Sequence, residues 1–76
     1  MNKLPKQIYI RERDSDREGF VDTEKYVKTK TRALREFGYS SLTQDTVREQ
    51  IAAVLAGKKL SVIGMFIEGD IIKEQP

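Results

Sequence analysis

The 76-residue chain has no cysteine, no histidine, no tryptophan and only two prolines. Without cysteine there is no disulfide framework and no thiol nucleophile, and without histidine there is no Ser-His-Asp triad. The usual His/Cys zinc site falls with the same two absences. A surplus of one charge is lacking too: fourteen Lys and Arg stand against twelve Asp and Glu, a net +2. That balance is too mild to point to a polyanionic partner. Long apolar runs are also missing. The longest, Val62 to Ile67 with Gly64 inside it, is six residues, far short of the roughly 20 a helix needs to cross a bilayer. Residues 1–6 carry charge and a proline, with no apolar stretch of signal-peptide length behind them. A soluble, cytoplasmic protein without membrane association is the expectation.

Hydrophobic residues make up 38% of the chain and charged residues 34%, a composition suited to one small globular domain over 1–76, with 1–6 and 73–76 frayed. A domain of this size buries only about 60% of the surface its unfolded chain exposes. Lacking disulfides or a metal cage, it needs a well-packed core or a partner subunit.

Four segments carry secondary-structure signals. Ile8-Tyr9-Ile10-Arg11 alternates as a short strand or arm would, and Asp14 to Gly19 reads as a charged turn punctuated by glycine. A helix is expected over about 23–37, capped by Asp22 or Thr23 and ended by Gly38. Tyr26, Val27, Ala33, Leu34 and Phe37 share its apolar arc, with Lys30 snorkelling at the edge. A second helix is expected over about 43–56. Thr43 caps it, Leu42 and Val47 form a hydrophobic staple, and Val47, Ile51, Val54 and Leu55 make the stripe. Gly57 stops it, with Lys58 and Lys59 near the negative end of the helix dipole.

The last segment, 60–72, is apolar on every face whether helical or extended. Gly64 and Gly69 each weigh against a helix by about 1 kcal/mol relative to Ala, whereas a strand needs a neighbour to pair with. The resulting expectation is a mainly α domain: two antiparallel helices, a third apolar element and a short N-terminal strand or arm. The alternative is α+β, with 60–67 a strand pairing with 7–11.

Three patterns could carry function. Lys25, Lys28, Arg32 and Arg35 lie at i, i+3, i+7 and i+10, one basic stripe able to neutralise phosphates without reading bases. A solvated helix face is the commoner reason for such a run and is the favoured reading. With Gly38 as the turn of a helix-turn-helix, Ala33, Phe37, Tyr39, Gln44 and Val47 fall at the five core positions. Gln44 does not suit such a position, and Leu34 stands where a small residue belongs. The reading helix would offer Thr43, Gln44, Thr46 and Arg48 alongside Asp45 and Glu49, which repel phosphate. Two helices packed across a short loop explain the same pattern.

The third pattern lies in 14–25. Asp14, Asp16 and Glu18 occupy the first, third and fifth places, Gly19 the sixth and Asp22 the ninth, so the stretch resembles an EF-hand loop. Its twelfth place holds Lys25 rather than the bidentate Glu, with Glu24 one residue early. An acidic turn leading into a helix cap, holding no metal, is expected.

Catalysis lacks a constellation. Ser40 and Ser41 have no histidine to activate them, Gly57-Lys58 lacks the rest of a phosphate loop, and no spacing brings two acids into an apolar setting. A non-enzymatic protein without cofactor or small-molecule substrate is expected. It would bind a protein partner or itself as a homodimer through Val62, Ile63, Met65, Phe66, Ile67 and Ile71. The alternative is nucleic-acid binding through Lys25, Lys28, Arg32, Arg35 and Arg48.

Overall fold

In β1, Gln7–Arg11, alternation sends Ile8 and Ile10 into the core and leaves Gln7, Tyr9 and Arg11 on the outer face. The structure, a computed structural model, describes residues 4–11 and 18–70. β1 pairs antiparallel with β2, Glu18–Asp22, in a register that sets Ile8 opposite Val21 and Tyr9 opposite Phe20. The domain is therefore α+β rather than mainly α. The class is that of the alternative, but the pairing is not: 60–67 forms no strand, and β1 takes 18–22 as its partner. Gly19, expected in a turn, sits inside β2 opposite Ile10. The β2 sequence, EGFVD, has one β-branched residue and so carried almost no strand signal of its own. The rest of the predicted charged turn, Asp14 to Arg17, lies outside the described residues.

Helix α1, Thr23–Phe37, starts where Asp22 accepts a hydrogen bond from the Lys25 backbone N–H at 3.0 Å. It ends at Gly38, whose φ of 142° favours glycine. Gly38 N–H donates to Arg35 O and Tyr39 N–H to Leu34 O, the paired bonds of a Schellman motif. Helix α2, Gln44–Leu55, starts from Thr43, whose Oγ1 accepts from Thr46 N–H. It ends the same way, through Gly57 at φ 70° and bonds from Gly57 and Lys58 N–H to Val54 and Ala53 O.

Helix α3, Val62–Glu68, forms within the apolar segment 60–72, resolving it as a helix rather than a strand over those residues. Ser61 caps it and Gly69 follows it. Gly64 disfavours a helix by propensity, yet it is buried where α3 meets α2. A Cβ there would lie 2.8 Å from Leu60 Cβ and collide with the Gln50 side-chain oxygen. Close approach of α3 outweighs the propensity penalty.

The core joins Ile8 and Ile10 of β1, Tyr26, Val27 and Leu34 of α1, Leu42, Val47 and Ile51 from the staple and α2, and Ile67 of α3. Two members of the expected α1 arc are not in it: Ala33 and Phe37 are exposed. Thr31 is buried instead, its hydroxyl donating to Val27 O at 2.6 Å, so the polar atom is satisfied. The Cα radius of gyration, 11.4 Å, equals that of a compact chain of this length, about 11 Å. Among the described residues, no helix is long and apolar enough to cross a membrane.

Candidate interaction surface

The Schellman turn at Gly38 sets up an exposed aromatic surface. By reversing the chain directly after Phe37, it brings Tyr39 alongside Phe37, the rings stacked with centroids 6.3 Å apart. Arg35 Nε holds the following loop by donating to Leu42 O at 2.6 Å. Phe66 of α3 then meets both rings edge-on, 5.2 Å from Phe37 and 5.9 Å from Tyr39, the geometry that aromatic quadrupoles prefer.

Exposed apolar side chains run from this triad onto α3. Phe37 is 69% exposed, and Val62 and Met65 on α3 are each 62% exposed. Spaced i and i+3, these two stand on the solvent side of the helix. Ile63 and Phe66 are half-buried at its flank, while Ile67 is wholly buried. Of the six residues expected at an interface, Val62, Met65 and Phe66 thus share one accessible face. Ile63 borders it, Ile67 belongs to the core, and Ile71 lies outside the described residues. Phe37 and Tyr39, expected in the core, belong to this face.

The basic stripe divides in two. The side chains of Lys25, Lys28 and Arg32 are exposed on the side of α1 away from the core and make no hydrogen bond or ion pair with a described residue, although the Lys28 charge helps to lower the Glu24 pKa. Arg35 and Arg48 are structurally engaged. Arg48 Nη2 and Nε contact Glu24 at 2.7 and 3.1 Å, and Nη1 contacts Asp45 at 2.7 Å, tying the start of α1 to the start of α2. Its guanidinium holds the Glu24 carboxyl below the usual 4.5. The Glu24 hydrogen bond in turn raises the Arg48 pKa. An open cleft of about 450 Å³ beside this pair is lined by Leu4, Pro5, Lys6, Asp22, Thr23, Glu24 and Arg48. Both its acids are occupied, Glu24 by Arg48 and Asp22 by the helix cap.

The helix-turn-helix expectation fits poorly. Of its five core positions, Val47 is buried and Tyr39 half-buried, but Ala33, Phe37 and Gln44 are exposed. In the EF-hand-like stretch, Asp14 and Asp16 lie outside the described residues. Glu18 accepts from Tyr9 Oη and from Arg11 Nε, the latter at 3.1 Å, and Asp22 caps α1. The Glu18 bond raises the Tyr9 pKa. Among the described residues, no three acidic side chains cluster as metal ligands would.

Sequence reasoning missed Asp70. This buried acid follows Gly69, and its Oδ2 accepts from Tyr26 Oη at 2.6 Å and Lys30 Nζ at 2.9 Å. Its backbone oxygen accepts from Arg11 N–H at 2.6 Å. Asp70 therefore joins the end of α3 to α1 and β1. Burial, aided by the Asp70 carboxylate, pushes the Tyr26 phenol far above its usual 10.0. Lys30, expected to snorkel freely, instead points its ammonium at this acid. Two signals were present in sequence: an acid flanked by apolar residues and glycine, and a lysine within an apolar arc.

No protein-family model matches the chain, and neither the curated proteins nor the solved structures yield a significant match.

Proposed function

We propose that this is a small non-enzymatic interaction protein that self-associates through the face formed by Phe37, Val62, Met65 and Phe66. The observation that carries the reading is the continuity of that face: Phe37, Val62 and Met65 are each more than 60% exposed, and Phe37 packs on Phe66 of α3 within one aromatic triad. Water-exposed apolar groups gathered in one place, rather than scattered, mark sites of association.

Magnitudes set the strength. Burying an exposed Val, Met or Phe side chain contributes about 1.5–3 kcal/mol. Three on each of two copies, already partly covered, supply on the order of 10 kcal/mol. Association itself costs about 4–15 kcal/mol. The balance is a weak, concentration-dependent dimer. Sedimentation equilibrium should show an average mass rising from 8.8 kDa with loading. Met65→Lys, a change on the solvent side of α3, should keep the monomer mass throughout while circular dichroism stays native. A wild-type chain that remains monomeric at millimolar loading refutes the reading.

The second reading is nucleic-acid binding by the α1 ridge. It is favoured by the clustering of Lys25, Lys28 and Arg32 without ion pairs to described residues. Three phosphate contacts predict a slope of about −3 in log affinity against log salt on duplex DNA. Arg32→Glu should weaken all sequences alike.

A further inference from the structure

We infer that the partner on this face is a second copy of the chain, docked with its α3 antiparallel and held in register by Lys58 and Lys59 against Glu68. The inference rests on the self-association reading and adds to it the orientation and the charges that select it.

Charge is distributed asymmetrically along the face. Lys58 and Lys59 lie exposed just before α3, and Glu68 lies exposed as its last residue. On a helical wheel at 100° per residue, Glu68 stands about 60° from Met65, and Met65 about 60° from Val62. The exposed arc of α3 thus runs from Val62 through Met65 to Glu68. Positive charge sits at one end, negative at the other, and apolar side chains lie between.

A surface of this kind is self-complementary under a two-fold axis. In an isologous contact the same patch serves both subunits, so each residue must suit whatever its symmetry mate presents. Parallel apposition of the two α3 helices would set lysines against lysines and Glu68 against Glu68. Antiparallel apposition sets lysines against the acid at both ends. The register follows from α3 itself: Val62 and Met65 are its exposed apolar pair, and a two-fold axis passing between them brings the lysine end of each copy to the Glu68 end of the other. Such an axis sets Val62 of each copy on Met65 of the other, with Lys58 and Lys59 of each copy at the end where the other carries Glu68. Apolar contact supplies the attraction, and the rim charges choose the orientation. Phe37, beside Phe66 on the Val62 side, extends the apolar strip along the flank.

Reciprocal charge reversal tests this. Glu68→Lys alone, and Lys58→Glu with Lys59→Glu, should each weaken self-association by about tenfold, since every reversal is repeated at both ends of the dimer. Mixing the two variants should restore a heterodimer of wild-type strength, read by sedimentation with one partner fluorescently labelled. Raising salt should weaken the wild-type dimer and strengthen each reversed homodimer, because screening acts on attraction and repulsion alike. Circular dichroism of each variant excludes unfolding as the cause. A dimer that Met65→Lys abolishes but both reversals leave unchanged overturns the antiparallel arrangement and leaves self-association standing. A wild-type chain that never dimerises overturns both.

Discussion

Asp70 is a residue on which three separate parts of the chain converge: α1, β1 and the end of α3. One carboxylate oxygen receives a phenol and an ammonium, and the backbone oxygen receives an amide of β1. The Lys30–Asp70 pair has side chains only 19% and 12% exposed, so solvent screens it less than the surface pair of Arg11 and Glu18. Asp70→Ala would leave a buried hydroxyl and a poorly solvated ammonium without their acceptor. Urea unfolding should register a loss of about 2–4 kcal/mol.

Two residues also make stability depend on pH. Tyr26 has a folded pKa above its unfolded value of 10.0, so its contribution is complete below pH 10 and declines as pH rises past it. Tyr26→Phe should flatten that alkaline limb, measured as the midpoint of urea unfolding against pH. Glu24 has a depressed folded pKa, first because Arg48 hydrogen-bonds its ionised form. Its contribution is complete above about pH 4.5 and is lost as pH falls further. Glu24→Gln should shallow the acid limb and leave the alkaline one untouched.

At the scale of elements, α3 is the least self-sufficient. Seven residues containing a glycine cannot hold a helix in water, so tertiary contact must sustain it. Gly64 is the point of that contact. Gly64→Ala improves helix propensity by about 1 kcal/mol, but the added methyl meets the Leu60 Cβ at 2.8 Å. Overpacking of that kind costs typically about 1–3 kcal/mol, so the variant should unfold at lower urea than wild type. The opposite result would mean that α3 shifts to admit the methyl. Helix α2 differs: its cap, staple, apolar stripe and closing glycine are all local, and each of them stood in the sequence at the right spacing. Thr43→Ala should therefore cost about 1 kcal/mol, the usual loss for an N-cap.

At the scale of the molecule, the core and the apolar face respond to different changes. Ile67→Ala empties a fully buried site and should lower stability by about 2–5 kcal/mol, with dimerisation lost only as folding is lost. Val62→Lys touches the exposed side of the same helix. It should alter monomer stability by about 0.5 kcal/mol or less while removing the concentration dependence of the melting temperature. A melting temperature of the wild-type chain that is the same at every concentration would contradict linkage between folding and association.

Both long helices were legible in the chain because their signals are local. Asp22, Gly38, Thr43 and Gly57 satisfy or reverse backbone groups within a few residues of themselves, and the apolar spacing of 47–55 needs no partner to be recognised. The hairpin was half legible. Ile8 and Ile10 alternate, but β2 becomes a strand only because β1 lies beside it, and Gly19 reads as a turn until that register exists. The surface was legible in part: Val62, Met65 and Phe66 stood out as an apolar surplus, but their separation from Ile67 depends on which side of α3 meets α2. Phe37 left the core because the α1 arc extends past the end of the packed interior, a matter of element length and placement. Asp70 acquired its role from contacts with residues 40 and 44 positions away. Local backbone chemistry determined where the helices begin and end. Burial, pairing and the choice of exposed face are properties of distant segments brought together, and the tertiary structure alone decided them.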